Sequence, residues 1–424
     1  MEIRLNKARK LTGTLRMPGD KSIAHRALIL GAMAQGEQVI GGLPDSGDVR
    51  STAECLRALG CRITVGQDGR LVVRAGRWTA DPDLYAGNSG TTARLLAGLV
   101  AGRRLDCRID GDESLRERPM ARIAEPLTRM GANVRTRPGG RLPMQVRGGN
   151  LKGIVYRPEV ASAQVKSAIL IAGLHAEGKT TVVEPVPTRD HTENLLTAMG
   201  VPVERKNGSV SVSNRCRPGG IGVEIPGDVS SAVFFVVAAS LLRGSEICLR
   251  GTGINPTRTG AIQVLREMGA RIELANVGSC AGEPVADIIV RSEPLKAVDI
   301  DGSIVPALID ELPILAVAAT QAEGVTTVRG AGELRHKESD RIRSTVRNLS
   351  RLGADIEEME DGFVIRGPSN LKGAEVQSFG DHRAAMSMAV AGLVADGETR
   401  IQDAGAAGIS YPGFFDDLRE LARS

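Results

Sequence analysis

The feature that most limits how this chain folds is an internal repeat. A helix ending in a Leu-x-x-Leu/Met-Gly pattern recurs with its glycine at Gly60, Gly131, Gly200, Gly269 and Gly353, and Leu418–Ala422 echoes it near the C-terminal end. A second marker, an apolar helix that stops at a glycine and runs into a strand, recurs at Gly36, Gly102, Gly178, Gly244, Gly324 and Gly397. Six copies of one unit fit the 424 residues, and a fixed period of this kind constrains the fold before any local reading does. Each copy reads helix, glycine stop, strand, helix, glycine stop, strand, tight turn, strand. Glycine just past a helix favours a left-handed C-cap. The pairs Asp68-Gly69, Gly139-Gly140, Asn207-Gly208 and Asp361-Gly362 predict hairpins.

The first helix of each copy is apolar nearly all round, as in ALILGAMA, LLAGLVAG and AVFFVVAAS, which predicts burial rather than one wet face. The second, such as STAECLRALG, is amphipathic. An α/β protein follows, in two domains of three repeats each. We place residues 1–18 and 227–424 in the first, discontinuous domain and 19–226 in the second, with the chain crossing between them near Pro18 and Pro226.

Each apolar helix starts from a short polar cluster: GDKSIAHR from Gly19, GNSGTTAR from Gly87, ASAQVKS from Ala161, GDVSS from Gly227, ALIDELP from Ala307 and GDHRAAM from Gly380. A helix N-terminus has unpaired N–H groups and a partial positive charge, so each start suits an anion. Lys21, Ser22 and Arg26 combine a mobile point charge with a planar fork, which suits phosphate or carboxylate, although a solvated N-cap explains that cluster equally well alone. Gly87–Thr92 offers two glycines and four small hydrogen-bonding residues before Arg94, where Gly90 leaves space that even a methyl would fill; a plain turn is the alternative. Arg116 and Arg118 fit an anion clamp or a solvated face. Ser162 and Gln164 can hydrogen-bond a polyhydroxylated ring, whereas His191 reads as an ordinary second-helix or surface residue. Asp310, within the apolar run ALIDELPILAVAA, reads as a buried general base. Lys337, Glu338 and Arg341 read as one helical face carrying a proton donor and two cations, or as a surface ion pair. Arg383, after Asp381-His382, completes a set of anion-binding starts.

The other signals exclude classes. The net charge is +4 and the aromatics are one Trp, three Tyr and six Phe, too few for base-stacking platforms, so nucleic-acid binding is not expected. The six cysteines show no metal spacing and are read as reduced thiols of a cytoplasmic protein. No signal peptide or membrane-length apolar run is apparent.

The strings GDKS-x-x-x-R, GNSGTT-x-R, ERP, SAQ, KESDR and GDHR, carried on six repeats, make the chain resemble the enolpyruvyl transferase family along nearly its whole length. Within it the resemblance is to the second class of members that use shikimate 3-phosphate. That resemblance implies two domains of three βαβαββ repeats around buried helices, an inside-out α/β barrel in each, with the active site in the cleft between them. It implies transfer of the carboxyvinyl group of phosphoenolpyruvate to the 5-hydroxyl of shikimate 3-phosphate with release of phosphate, in the shikimate pathway to chorismate. It implies no metal or organic cofactor, only small-molecule partners, and a monomer.

By position, Lys21, Ser22 and Arg26 match shikimate 3-phosphate ligands, with Lys21 also reaching phosphoenolpyruvate and counted with the catalytic groups. Ser162, Ala163, Gln164, Arg189, Asp310 and Lys337 fall on the same side. Asn88, Gly90, Arg118, Gln164, Arg341 and Arg383 match the phosphoenolpyruvate side. Asp310 matches the acceptor of the 5-hydroxyl proton and Glu338 the group that protonates the methylene carbon. Glycine at position 90 goes in this family with sensitivity to glyphosate.

Ala163 and Arg189 stand where the first class has serine and tyrosine. The C-terminal lysine of that class is missing from Gly408–Pro412. Two rival readings are the sister enzyme acting on UDP-N-acetylglucosamine and a non-catalytic sensor of phosphorylated sugars. The former usually has Lys-Asn where this chain has Lys21-Ser22 and a cysteine in the loop that here reads GDESLRERPM. The latter has no need of Asp310 and Glu338.

Overall fold

The structure is a computed structural model and describes residues 1–79 and 81–423. The chain forms two compact units, one of Met1–Pro18, Pro226–Gly278 and Pro284–Ser424, the other of Gly19–Ile225 with Ser279–Glu283. The short piece Ser279–Glu283 lies inside the 227–424 stretch of sequence yet groups with the unit of Gly19–Ile225.

In the Gly19–Ile225 unit the helices Lys21–Met33, Gly90–Ala101 and Ala163–Gly173 are buried almost throughout. Their residues Ala27, Leu28, Leu96, Leu99, Ile169 and Leu170 are fully enclosed, and burial of this kind stabilises by roughly 25 cal/mol per Å² of apolar surface. The Gly90 helix crosses the Ala163 helix closely at Gly98, where a Cβ would stand 2.3 Å from the carbonyl oxygen of Ala168. The strands form three four-stranded sheets among the described residues. In two of them the strand before a buried helix pairs parallel to the strand after it, and in all three a hairpin completes the sheet. The first repeat takes its parallel strand from the far end of the unit, where Gly222–Glu224 pairs with Val39–Gly41.

The other unit repeats the scheme around helices Val229–Leu241, Leu312–Thr320 and His382–Val394. Thr12–Arg16 supplies the parallel strand for Glu246–Arg250. The sixth repeat lacks its hairpin and pairs Thr399–Ile401 with Ile3–Leu5 instead. Phe234, Phe235, Tyr411, Phe414 and Phe415 make an edge-to-face cluster that packs the C-terminal segment onto the Val229 helix.

The predicted glycine stops have positive φ at every marker except Gly102, which ends its helix at φ −75°. The fourth repeat turns at Ala281-Gly282, with φ 47° and 81°, a hairpin that no Asx-Gly pair announced. All six cysteines are free thiols.

Candidate active site

The buried helices start from capped ends. Asp20, Ser89, Ser162, Asp228 and Asp381 each accept a backbone N–H from the first turn of their own helix. The caps therefore use donors that the sequence reading left for an anion, and it is side chains rather than bare helix ends that offer charge here. The Leu312 helix is the exception. Its N-cap, Glu311, makes no capping bond, and a proline in the first turn sets its start. Asp310 accordingly stands outside the helix, on the 3-10 turn Ile309–Glu311, not within it as the apolar run suggested.

In the Gly19–Ile225 unit, Lys21 and Ser22 are half-buried at the first turn of their helix. Lys21 Nζ pairs with Asp48 Oδ2 at 2.8 Å. Arg26 is buried and spends its donors inside the protein: on Ser22 O at 2.9 Å, Thr192 Oγ1 at 2.8 Å and Ser167 Oγ at 2.8 Å. Burial pushes its guanidinium down to about 10, with Glu193 opposing that shift.

Asn88 gives its amide N–H to Asp112 at 2.7 Å and takes one from Arg118 Nη2 at 2.6 Å. Arg116 turns instead to Asp110, at 2.8 and 2.9 Å, and holds that carboxyl below its usual range. The expected two-arginine clamp is therefore Arg118 alone. Gln164 donates to Thr91 Oγ1 at 2.9 Å and accepts from Arg94, so Arg94 joins Asn88, Gly90, Arg118 and Gln164 in one cluster. A Cβ at Gly90 would lie 3.0 Å from Arg94 Nη1 and 3.5 Å from Arg118 Nη1. Ser162 and Ala163 start the helix that carries Gln164, and Arg189 lies half-buried, close enough to Arg26 to lower its affinity for a proton.

His191 opens the second helix of its repeat, His191–Ala198, one of the two places read from sequence, and is buried there rather than on the surface, with Nδ1 2.9 Å from Glu283 Oε1. With Asp190 they form the one group among the described residues whose donor atoms lie close enough to hold a metal. Asn194 and Arg205 already bond to these carboxylates, and we assign no ion there.

In the other unit Arg341 organises the groups. Its side chain is 2% exposed and its guanidinium meets three carboxylates: Asp381 Oδ2 at 2.7 Å, Glu338 Oε2 at 2.7 Å and Asp310 Oδ1 at 3.1 Å. Burial works against that charge, but the carboxylates outweigh it and raise the pKa of Arg341. Asp381, buried and capping the His382 helix, is held low by Arg341 against the opposing effect of burial. Lys337 Nζ reaches Asp310 Oδ1 at 3.2 Å. Lys337 and Glu338 precede the helix Arg341–Arg351 and follow the 3-10 turn Gly332–His336. They do not share a helical face with Arg341; the loop that carries them sets Glu338 on Arg341 and Lys337 on Asp310.

Arg383 is buried over the ring of Phe234 at 5.7 Å, donates to Ser230 O at 3.2 Å and lies 3.6 Å from Glu311. Its buried Nε has no hydrogen-bond partner among the described residues. Ser230 bonds to both Arg258 and Glu311; Ser230 and Arg258 were not singled out from sequence, whereas Glu311 stood beside Asp310 among the acid–base candidates.

The arrangement is that of a protein handling strongly anionic ligands with acid–base chemistry: cations at several helix starts, and three carboxylates held on the buried guanidinium of Arg341. A profile of the family described as EPSP synthase (3-phosphoshikimate 1-carboxyvinyltransferase) matches residues 5–418. Proteins called 3-phosphoshikimate 1-carboxyvinyltransferase are similar throughout. That of Desulforamulus reducens is 48% identical over 99% of both chains. That of Gloeobacter violaceus is 51% identical over 98% of this chain and 97% of its own. The solved EPSP synthase of Acinetobacter baumannii superposes with a TM-score of 0.88 at 40% identity, over 99% of this chain and 98% of that one. Matched by that profile over residues 5–418 and about half identical to these relatives along its length, the chain belongs to the EPSP synthase family.

Proposed function

We propose that this chain transfers the carboxyvinyl group of phosphoenolpyruvate to the 5-hydroxyl of shikimate 3-phosphate and releases phosphate, as a cytoplasmic monomer of the shikimate pathway. The observation that carries the reading is the pair Asp310 and Glu338, both within 3.1 Å of the one buried guanidinium of Arg341. An addition–elimination needs a proton taken from the attacking hydroxyl and a proton given to the methylene carbon.

Asp310 takes the 5-hydroxyl proton as that oxygen bonds to C2 of phosphoenolpyruvate, and Glu338 gives a proton to C3. The methyl group of the tetrahedral intermediate then loses a proton as the C2–O bond to phosphate breaks, which restores the double bond. Lys21, Ser22, Arg26, Ser162, Ala163, Gln164, Arg189 and Lys337 serve shikimate 3-phosphate. Asn88, Gly90, Arg118, Arg341 and Arg383, with Lys21 and Gln164, serve phosphoenolpyruvate. Fixed cations offset the repulsion of two multiply charged anions brought together.

Among the described residues no helix is long and apolar enough to cross a membrane, in keeping with a cytoplasmic enzyme. The test is phosphate release from phosphoenolpyruvate with shikimate 3-phosphate or with UDP-N-acetylglucosamine as acceptor. Release with shikimate 3-phosphate alone is expected. Release only with the nucleotide sugar, or with neither, overturns the reading.

A further inference from the structure

Lys166 lies in the second turn of the Ala163 helix, 1% exposed, and nothing in the chemistry above uses it. A lysine that deep needs partners, and it has three: Glu193, Glu184 and Thr188. Its Nζ stands 2.7 Å from Glu193 Oε1, 3.0 and 3.1 Å from the two oxygens of Glu184, and 3.2 Å from the carbonyl of Thr188. Each contact leads toward a different part of the shikimate 3-phosphate half-site.

Glu184 also accepts the backbone N–H of Thr188 at 3.0 Å and its hydroxyl. The segment Glu184–Thr188 is thereby tied into a closed loop by one carboxylate and one ammonium, and the next residue is Arg189. Glu193 is fully buried and is the main carboxylate acting on Arg26. It stands between the charges of Lys166 and Arg26, while its neighbour Thr192 and the neighbour of Lys166, Ser167, accept the N–H groups of Arg26 and bond each other at 2.7 Å. The backbone N–H of Lys166 closes the first turn onto Ser162 O at 3.0 Å.

We infer that Lys166 is a positioning residue for shikimate 3-phosphate: one buried amine fixes the loop that presents Arg189 and, through Glu193, the surroundings of Arg26. Burial pushes the Glu193 carboxyl up and Lys166 opposes that shift, so with Glu193 ionised the charges of Lys166, Arg26, Glu184 and Glu193 balance and the network holds two arginines in place without adding net charge to the anion site. Removing the amine frees the Arg189 loop and leaves Glu193 to be neutralised by Arg26 alone. The inference rests on the assignment of Arg26 and Arg189 to shikimate 3-phosphate.

The experiment compares the wild type with Lys166→Met/Glu193→Gln, which removes one positive and one negative charge together, and with Glu184→Gln, which loosens only the loop. Binding of shikimate 3-phosphate is measured by titration calorimetry, and KM for each substrate by phosphate release, with circular dichroism to establish folding. The double variant is expected to bind shikimate 3-phosphate about tenfold more weakly, with KM for phosphoenolpyruvate within about twofold of wild type. Glu184→Gln is expected to change affinity in the same direction by less, and it decides the matter if the double variant does not fold. Unchanged affinity for shikimate 3-phosphate in a folded variant overturns the inference, as does an equal rise in both KM values. A wild type that does not bind shikimate 3-phosphate at all instead sinks the functional reading on which it rests.

Discussion

Asp310 carries the chemical demand of the account at the scale of single residues. Asp310→Asn keeps the shape of the group that meets Lys337 and Arg341 and removes the base. We expect substrate affinities to be retained and kcat to fall by about 10²–10⁴; an unchanged kcat in steady-state assays removes Asp310 from the mechanism. Gly90 makes a steric demand. An added methyl presses on the guanidinium of Arg94 and only touches that of Arg118, so Gly90→Ala should raise KM for phosphoenolpyruvate and weaken inhibition by glyphosate, to which the wild type is expected to be sensitive. Dose–response curves that coincide for the two proteins contradict this. His25 is a pH-sensitive residue of the core. It bonds to Thr52 through Nδ1 at 2.7 Å, and burial pushes its imidazole from 6.5 down to about 3. Protonation therefore favours the unfolded chain. Above pH 6.5 the ring is neutral in both states, and below it stability falls by about 1.4 kcal/mol per pH unit until the folded state titrates. His25→Gln should make the stability curve shallower between those limits, though not flat, because His175 is pushed to about 4 in the same way. An identical acid slope in denaturant melts of both proteins contradicts the assignment.

At the scale of elements, much was legible and the exceptions have physical causes. All-round apolarity marked the six buried helices because no face of them meets water, and the glycines at 60, 131, 200, 269 and 353 marked the ends of the amphipathic helices, where they take the left-handed conformation that suits glycine; the buried helices end on Ala34, Gly102, Leu174, Leu242, Gln321 and Ala395, none of them left-handed. The apolar run around Asp310 misled because a proline in the first turn of its helix fixes φ and sets the start at Leu312, leaving Asp310 on a 3-10 turn. The run Lys337–Arg341 misled similarly, since Asp340 caps a helix that begins only at Arg341. Caps and counter-ions such as Asp48, Glu311, Ser230 and Thr192 act across tens or hundreds of residues of sequence, so no local spacing exposes them. Asp381 joins both roles, capping the His382 helix and pairing with Arg341. Asp381→Ala should destabilise the fold by about 3–5 kcal/mol, as expected for a buried pair that loses one partner. Chemical denaturation that finds a loss below about 1 kcal/mol, the worth of an exposed pair, contradicts that dual role.

For the whole molecule, the period of the repeat announced two sets of three α/β units, and the two compact units have that composition. What the period did not announce is which strand completes which sheet. Thr12–Arg16 and Gly222–Glu224 each complete a sheet through partners about 200 residues away, and such pairings depend on tertiary packing rather than local pattern. The same division separates Asp310, Glu338 and Arg341 in one unit from Lys21, Arg26 and Gln164 in the other. The central claim is that the carboxylates on Arg341 run an addition–elimination, and it is tested most directly by letting the wild type turn over in D₂O and weighing the product by mass spectrometry. Protonation of C3 by Glu338 predicts solvent deuterium in the vinyl methylene of the product. A product that carries no deuterium there contradicts the account.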